Sequence, residues 1–335
     1  MTGAIELSHG GGGRAMVRLI RDVFAHHFAN PLLAQGHDAT CIDVGSGRIA
    51  VTTDAHVVSP LFFPGGDIGS LAVHGTVNDL AMAGAQPMAL SVAFIIEEGF
   101  PIADLDAIAA SMAAAARKAG VAIATGDTKV VERGKGDGVF ITTSGIGTIP
   151  DGVDIGPHRL RAGQAVLISG TIGDHGIAIL SRRQGLEFGT AILSDSAPLN
   201  AMVADMVSAV PQIAVLRDPT RGGLSATLNE LAEAGQVGLM LEESAIPVSA
   251  QVAAACELLG LDPLHIANEG KLVCICEEAE ADRLLDIMRS HPEGANAQAI
   301  GRVTPDNPGF VRMVTAIGGT RVIDWLSGEQ LPRIC

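Results

Sequence analysis

The chain has 335 residues, 47% hydrophobic and 18% charged, with a formal charge of −15. That length suffices for two domains around a buried core, and so acidic a balance excludes nucleic acid and anionic membrane as main partners. No apolar run reaches the roughly 18 residues of a bilayer span and no signal-peptide pattern opens the chain, so a cytoplasmic protein is expected.

In chain order, the first signal is SHGGGGRAM, residues 8–16, four glycines just before a helical pattern. Backbone N–H groups there can approach an anion at a helix start, with Gly11 and Gly12 the candidates, although such a run is equally well explained as flexible chain. Neither a P-loop nor a GxGxxG dinucleotide pattern occurs, so a nucleotide site would be of another kind. MALSVAFII, 88–96, alternates as a strand and stops at Glu97. DLDAIAASMAAAARKAG, 104–120, predicts a helix with acidic residues in its first turn, Arg117 and Lys118 in its last, and Gly120 as its cap. Leu105, Ile108 and Met112 form its apolar face.

Gly and Pro interrupt the pattern in IPDGVDIGPHRLRAGQ, 149–164, which places a domain boundary near residue 156. Beyond it, short strands alternate with helices expected to begin near Asp174, Pro198, Gly222, Val248 and Glu278. The class is α/β. Of the five cysteines, none forms a CxxC pair, which disfavours a zinc site or a disulfide framework. Cys274 and Cys276 alternate with Ile275 as core thiols would. Ten histidines form no metal-binding spacing, and His175 fits capping or packing as readily as a site.

Five apolar segments end in a carboxylate beside Gly, Thr or Asn: Asp54 in IAVTTDAH, Asp79 in HGTVNDLAMAGA, Asp127 in VAIATGDTKVV, Asp218 in IAVLRDPTRGG and Glu269 in LHIANEGKLV. One such Asp is usually a turn former or helix cap. Five together suggest hard oxygen ligands for Mg²⁺ carrying nucleotide phosphates, since clustered carboxylates repel unless neutralised. Two of the four lysines, Lys129 and Lys271, fall inside these motifs.

HGTVNDLAMAGAQP, TGDTKVV, SGTIGDHG, RDPTRGG, NEGKLV and the terminal PRIC together resemble the HypE family of hydrogenase maturation factors, within the aminoimidazole ribonucleotide synthetase (PurM-like) superfamily. The resemblance covers essentially the whole chain, and the PRIC ending is its most specific part. It implies a two-domain PurM-like fold: residues 1–155 for ATP binding and dimerisation, with strands that build a β-barrel across a homodimer, residues 156–326 as a C-terminal α/β sandwich, and residues 327–335 as a mobile tail carrying Cys335. The implied activity is an ATP-dependent carbamoyl dehydratase. A HypF carbamoyltransferase loads Cys335, the enzyme converts the thiocarboxamide to a thiocyanate, and a HypC–HypD complex receives the cyano group for the iron of a nickel–iron hydrogenase.

Carried onto this sequence, the resemblance assigns Asp38, Asp54, Asp79, Asp127 and Asp218 to magnesium, and places Asn78, Asp79, Gly126 and Asp127 beside ATP. It makes Cys335, Glu269 and Lys129 catalytic, Glu269 as general base and Lys129 as its electrostatic partner. The family usually has Ser where Ala55 stands. A small-molecule kinase of the same superfamily, of the selenophosphate synthetase or thiamine monophosphate kinase type, is the alternative enzyme. A passive thiol carrier is a third reading, and it leaves the acidic strand ends unexplained.

Overall fold

The computed structural model describes residues 13–19, 21, 35, 37–45, 47–186, 191–326 and 331–335. Gly11 and Gly12 lie outside the described residues. A short helix α1 (Arg14–Leu19) precedes a five-stranded sheet made of β1 (Thr40–Asp43), β2 (Arg48–His56), β5 (Gln86–Glu97), β6 (Ala122–Val131) and β7 (Val139–Ile149). Its order is β1-β2-β7-β5-β6, antiparallel except for the β5–β6 pair, which leaves β6 as an edge. The small hairpin β3 (Phe62–Phe63) and β4 (Gly66–Asp67) leads into α2 (Ile68–Met82).

Asp67 starts α2 through a capping box with Ser70, its Oδ1 accepting from the Gly69 and Ser70 N–H groups at 2.7 and 3.2 Å. Nearly all of α2 is buried, because it lies between this sheet and the second domain, touching β2 and β7 on one side and the second domain on the other. A helix apolar all round is stable only when covered all round. The predicted helix appears as α3 (Ile102–Ala119), closed by Gly120 at φ 69°, a left-handed turn that Gly adopts without a Cβ penalty. Ile108 and Met112 are buried in its apolar face.

The second domain holds a seven-stranded sheet in the order β14-β13-β10-β12-β8-β11-β9, antiparallel except for β10–β13. Its strands are β8 (Ala165–Ile168), β9 (Val215–Arg217), β10 (Gly238–Glu242), β11 (Val273–Cys276), β12 (Gln298–Thr304), β13 (Val311–Val314) and β14 (Thr320–Ile323). Helices α4 (Asp174–Gln184), α5 (Asn200–Ala209), α6 (Gly223–Gly235), α7 (Ala250–Leu259) and α8 (Ala281–Ser290) begin within a few residues of the expected starts. Cys274 and Cys276 are fully buried on β11, as their alternation predicts. No helix among the described residues is long and apolar enough to cross a membrane.

Candidate active site

Period-two alternation along β2 puts Thr52, Asp54 and His56 on the face that α2 covers. Thr76 on α2 donates its hydroxyl to Asp54 Oδ2 at 3.0 Å, and Thr52 donates to Asp79 Oδ2 at 2.7 Å. Asp79 lies in the last turn of α2 and Asp218 directly follows β9. With Asp38, just ahead of β1, they converge: one carboxylate oxygen from each of Asp38, Asp79 and Asp218 lies within 4.8 Å of the others. Arg217 donates to Asp38 Oδ1 at 2.8 Å and to Glu230 at 2.6 Å, while Asp38 Oδ2 is buried with no hydrogen-bond partner.

Three converging carboxylates with an unpartnered oxygen among them suit a hard divalent cation such as Mg²⁺. Without one, burial first and the charge of Asp54 next hold Asp38 up to about 6, against the opposing pull of Arg217. Asp218 is pushed up to about 8 by burial and then by Asp38, and Asp79 well above its usual range by burial and then by Asp54, Asp218 and Asp38. The folded state therefore keeps protons that unfolded carboxylates release near pH ~4. That stabilisation is complete below about pH 4 and is lost as pH rises through about 8. The expected result is a melting temperature in EDTA that falls relative to that in Mg²⁺ as pH goes from 5.5 to 8, with a smaller gap for Asp218→Asn. A gap independent of pH, read by scanning fluorimetry, would speak against this cation site.

Glu269 follows the 3-10 turn Pro263–His265, in the segment before β11. It is buried, with Oε1 unpartnered. Its carboxyl lies well above the usual range, by burial first and then by the charges of Asp218, Asp195 and Asp54, with Arg221 opposing. The main chain around it is fixed from both sides. Asp195 Oδ1 accepts from the Glu269 N–H at 3.0 Å, and Asn78 Nδ2 donates to the Glu269 carbonyl at 3.2 Å. A Cβ on Gly270 would fall 1.8 Å from the Asp195 carbonyl oxygen, so only Gly allows this approach.

Asn78, expected beside the nucleotide, is occupied otherwise: its amide also donates to the Ala197 carbonyl and accepts from the Leu199 N–H. It ties α2 to the 195–199 loop and to Glu269. Lys271 pairs with Asp195 at 3.6 Å.

Asp127 and Lys129 lie elsewhere. In register with Ala93 and Ile95 of β5, they project from the opposite face of the five-stranded sheet, across the pleat from Asp54. Both are exposed and they pair with each other at 3.0 Å, Lys129 holding Asp127 below its ordinary value. Within this chain the structure thus joins Asp38, Asp79 and Asp218, with Asp54 and Glu269 in electrostatic reach, and leaves Asp127 and Lys129 outside that group. Gly126 sits beside them on β6, where a Cβ would fall 2.8 Å from the Val92 carbonyl oxygen.

Arg221 is the functional candidate that the sequence reading passed over. Its side chain is exposed at the edge of the site, and its proton is held by the charge of Cys335 first, then those of Asp54, Glu269 and Asp79. Its place in RDPTRGG, three residues beyond Asp218, was the available signal.

The N-terminal domain of AIR synthase related proteins matches residues 36–149 and the C-terminal domain matches residues 161–314. A relative named carbamoyl dehydratase HypE, from Cupriavidus necator, is 61% identical over 335 residues, 100% of this chain and 95% of its own length. The chain belongs to the HypE family. A solved HypE in complex with ATP is 51% identical over 99% of this chain and 100% of its own, with a TM-score of 0.85. A HypE–HypF complex is 48% identical over 92% of this chain and 99% of its own, with a TM-score of 0.88. Thiamine monophosphate kinase from Aquifex aeolicus, at 18% identity and a TM-score of 0.65, shares the fold alone.

Proposed function

We propose that this HypE-family carbamoyl dehydratase dehydrates a carbamoyl group carried on its own Cys335, with ATP as the energy source. The observation that carries the reading is the position of the last residue. Cys335 lies against the core of the first domain, and its charge is the largest influence on Arg221, which also feels Asp54, Glu269 and Asp79. A C-terminal thiol, a guanidinium, a buried carboxylate with one unpartnered oxygen and a carboxylate triad suited to Mg²⁺ thus share one locality.

The chemistry divides among these groups. Converting S–C(=O)–NH₂ to S–C≡N removes one oxygen and two protons, and transfer of the ATP γ-phosphoryl group to that oxygen makes it a leaving group. Asp38, Asp79 and Asp218 would hold magnesium, which when bound screens the triphosphate. Arg221 supplies fixed positive charge beside the reacting tail. Glu269, held at high proton affinity in a dry setting, is suited to accept an N–H proton. A HypF-type carbamoyltransferase would load the thiol, as the solved HypE–HypF complex supports. Delivery to a HypC–HypD complex rests on the resemblance.

The protein supplied with HypF, carbamoyl phosphate and ATP should carry thiocyanate on its C-terminal peptide, and without subsequent ATP for dehydration should carry the carbamoyl form. A C-terminal peptide never modified under any of these conditions would overturn the reading.

The open face of the first sheet supports a homodimer. Ile95 and Ile146 are exposed there, 44% and 46%, and among the described residues β6 is an unpaired edge. Apolar side chains over an open edge call for a covering strand surface, and a second copy closing a barrel would also give Asp127 and Lys129 a site to face. Ile146→Asp is expected to yield monomers by light scattering where the parent is dimeric, with the melting temperature changed by only a few degrees. A parent protein that is monomeric at all concentrations would refute the dimer.

A further inference from the structure

The end of the chain is held both by its main-chain groups and by the side chains of Arg333 and Ile334. Residues 331–335 run beside the segment that continues β2: the Val57 N–H donates to the Cys335 carbonyl at 3.0 Å and the Ser59 N–H to the Arg333 carbonyl at 3.1 Å. Steps of two residues in opposite directions are the pattern of an antiparallel pair. From the other side α4 reaches over. His175 in its first turn donates from Nε2 to the Ile334 carbonyl at 2.8 Å, its Nδ1 lying 2.8 Å from the Ser194 hydroxyl. Because Nε2 carries the hydrogen, Nδ1 accepts and Ser194 donates.

Arg183, about two turns along α4, donates from Nη1 to the Pro332 carbonyl at 2.7 Å and from Nη2 to the Arg333 carbonyl at 2.9 Å. The same guanidinium donates from Nε and Nη2 to the Ser59 carbonyl at 2.9 and 2.6 Å. One planar fork therefore joins the receiving segment to the tail. Ile334 is buried among the first domain's core side chains, and Arg333 bonds the Val57 carbonyl, pairs with Asp137 and lies over the Phe140 ring.

We propose that Arg183 is a positioning residue, a clasp that holds the tail in the register that presents Cys335 to the site. The inference rests on the reading of Cys335 as the carrier thiol. Two features carry it. The hydrogen bonds from Arg183 to the tail end on main-chain oxygens two and three residues before Cys335, so they fix register without touching the reacting atoms. Arg183 also lies at the exposed end of the docking groove, whereas Ile334 and His175 are buried, so the clasp can open before the anchor leaves. A thiol that must be loaded by a second enzyme and then returned to its own site needs a hold that is firm and releasable. Charge-assisted hydrogen bonds at the groove's mouth provide this.

The test uses the full chain with Arg183→Ala and Arg183→Lys. Alkylation of Cys335 by iodoacetamide is followed by mass spectrometry of the C-terminal peptide, and conversion of carbamoylated Cys335 to thiocyanate is followed in single turnover. Loss of the fork is expected to raise the alkylation rate about 10-fold and slow conversion by a similar factor, the scale of one charge-assisted hydrogen bond. Loading by HypF should be unchanged or faster. Lys, which carries the charge without the fork, should fall between, and it carries the test alone should the Ala variant not fold. A merely structural role would slow loading and conversion together. An alkylation rate equal to the parent's in both variants overturns the clasp. Faster alkylation in a protein whose parent never forms thiocyanate would leave the clasp standing and remove the dehydratase reading instead.

Discussion

Glu269→Gln is expected to slow conversion of carbamoylated Cys335 by about 10²-fold or more, the usual scale for removal of a general base. The amide keeps the side chain's shape and removes the proton acceptor, so the carbamoylated form, one water heavier than the thiocyanate, should accumulate with HypF, carbamoyl phosphate and ATP present. A structural role predicts something else, a loss of stability from an ion pair broken in the interior. The lysines that could have formed such a pair are engaged elsewhere, Lys271 with Asp195 and Lys129 with Asp127, and Glu269 Oε1 accepts no hydrogen bond.

The stability sign follows from the raised proton affinity of this carboxyl. What it contributes below about pH 4 is lost as pH rises through its folded-state value. Gln, which carries no charge, should therefore melt no lower than the parent at pH 8. Conversion by the parent should fall on acidification along a limb displaced upward from that of an ordinary carboxylate, and Gln should remove that limb. A folded Glu269→Gln protein that forms thiocyanate at the parent's rate takes Glu269 out of the mechanism.

Cys335→Ser should abolish thiocyanate formation altogether, because the oxygen is a far weaker nucleophile than a thiolate and the carrier is lost. The fold should survive. The contact that Cys335 makes to Val57 is through its carbonyl, and the buried anchor is Ile334, both of which the substitution would leave in place. Deleting the last two residues is a different experiment. It removes Ile334 from the core and the acceptor of His175, and a few degrees of melting temperature are expected to go with it, since an apolar side chain loses roughly 1.5–3 kcal/mol of burial. Circular dichroism and scanning calorimetry separate the two. A Cys335→Ser protein still carrying a stable carbamoyl or cyano group at its C terminus would mean that the carrier is another residue.

The sequence by itself determined the class of the fold, the helix within 104–120 with its Gly120 cap, the β11 cysteines as core, and the family, because each of these depends on local periodicity, turn chemistry or motifs that stand in one stretch of chain. It also supplied the acidic residues, but not their grouping. Asp54 and Asp127 look alike as carboxylates in apolar segments, yet the pleat and the register of β6 on β5 send them to opposite faces of one sheet. Asp38, Asp79 and Asp218 come together only when the second domain packs over α2, since they lie on segments far apart in the chain. Asn78 resembles a nucleotide contact until the loop at 195–199 arrives and occupies both ends of its amide. The docking of the tail was least legible of all. The groups that His175 and Arg183 hold are main-chain carbonyls, which every residue has, these donors sit about 150 residues away, and the core that takes Ile334 is assembled from distant segments, so only the tertiary structure could bring them to the thiol.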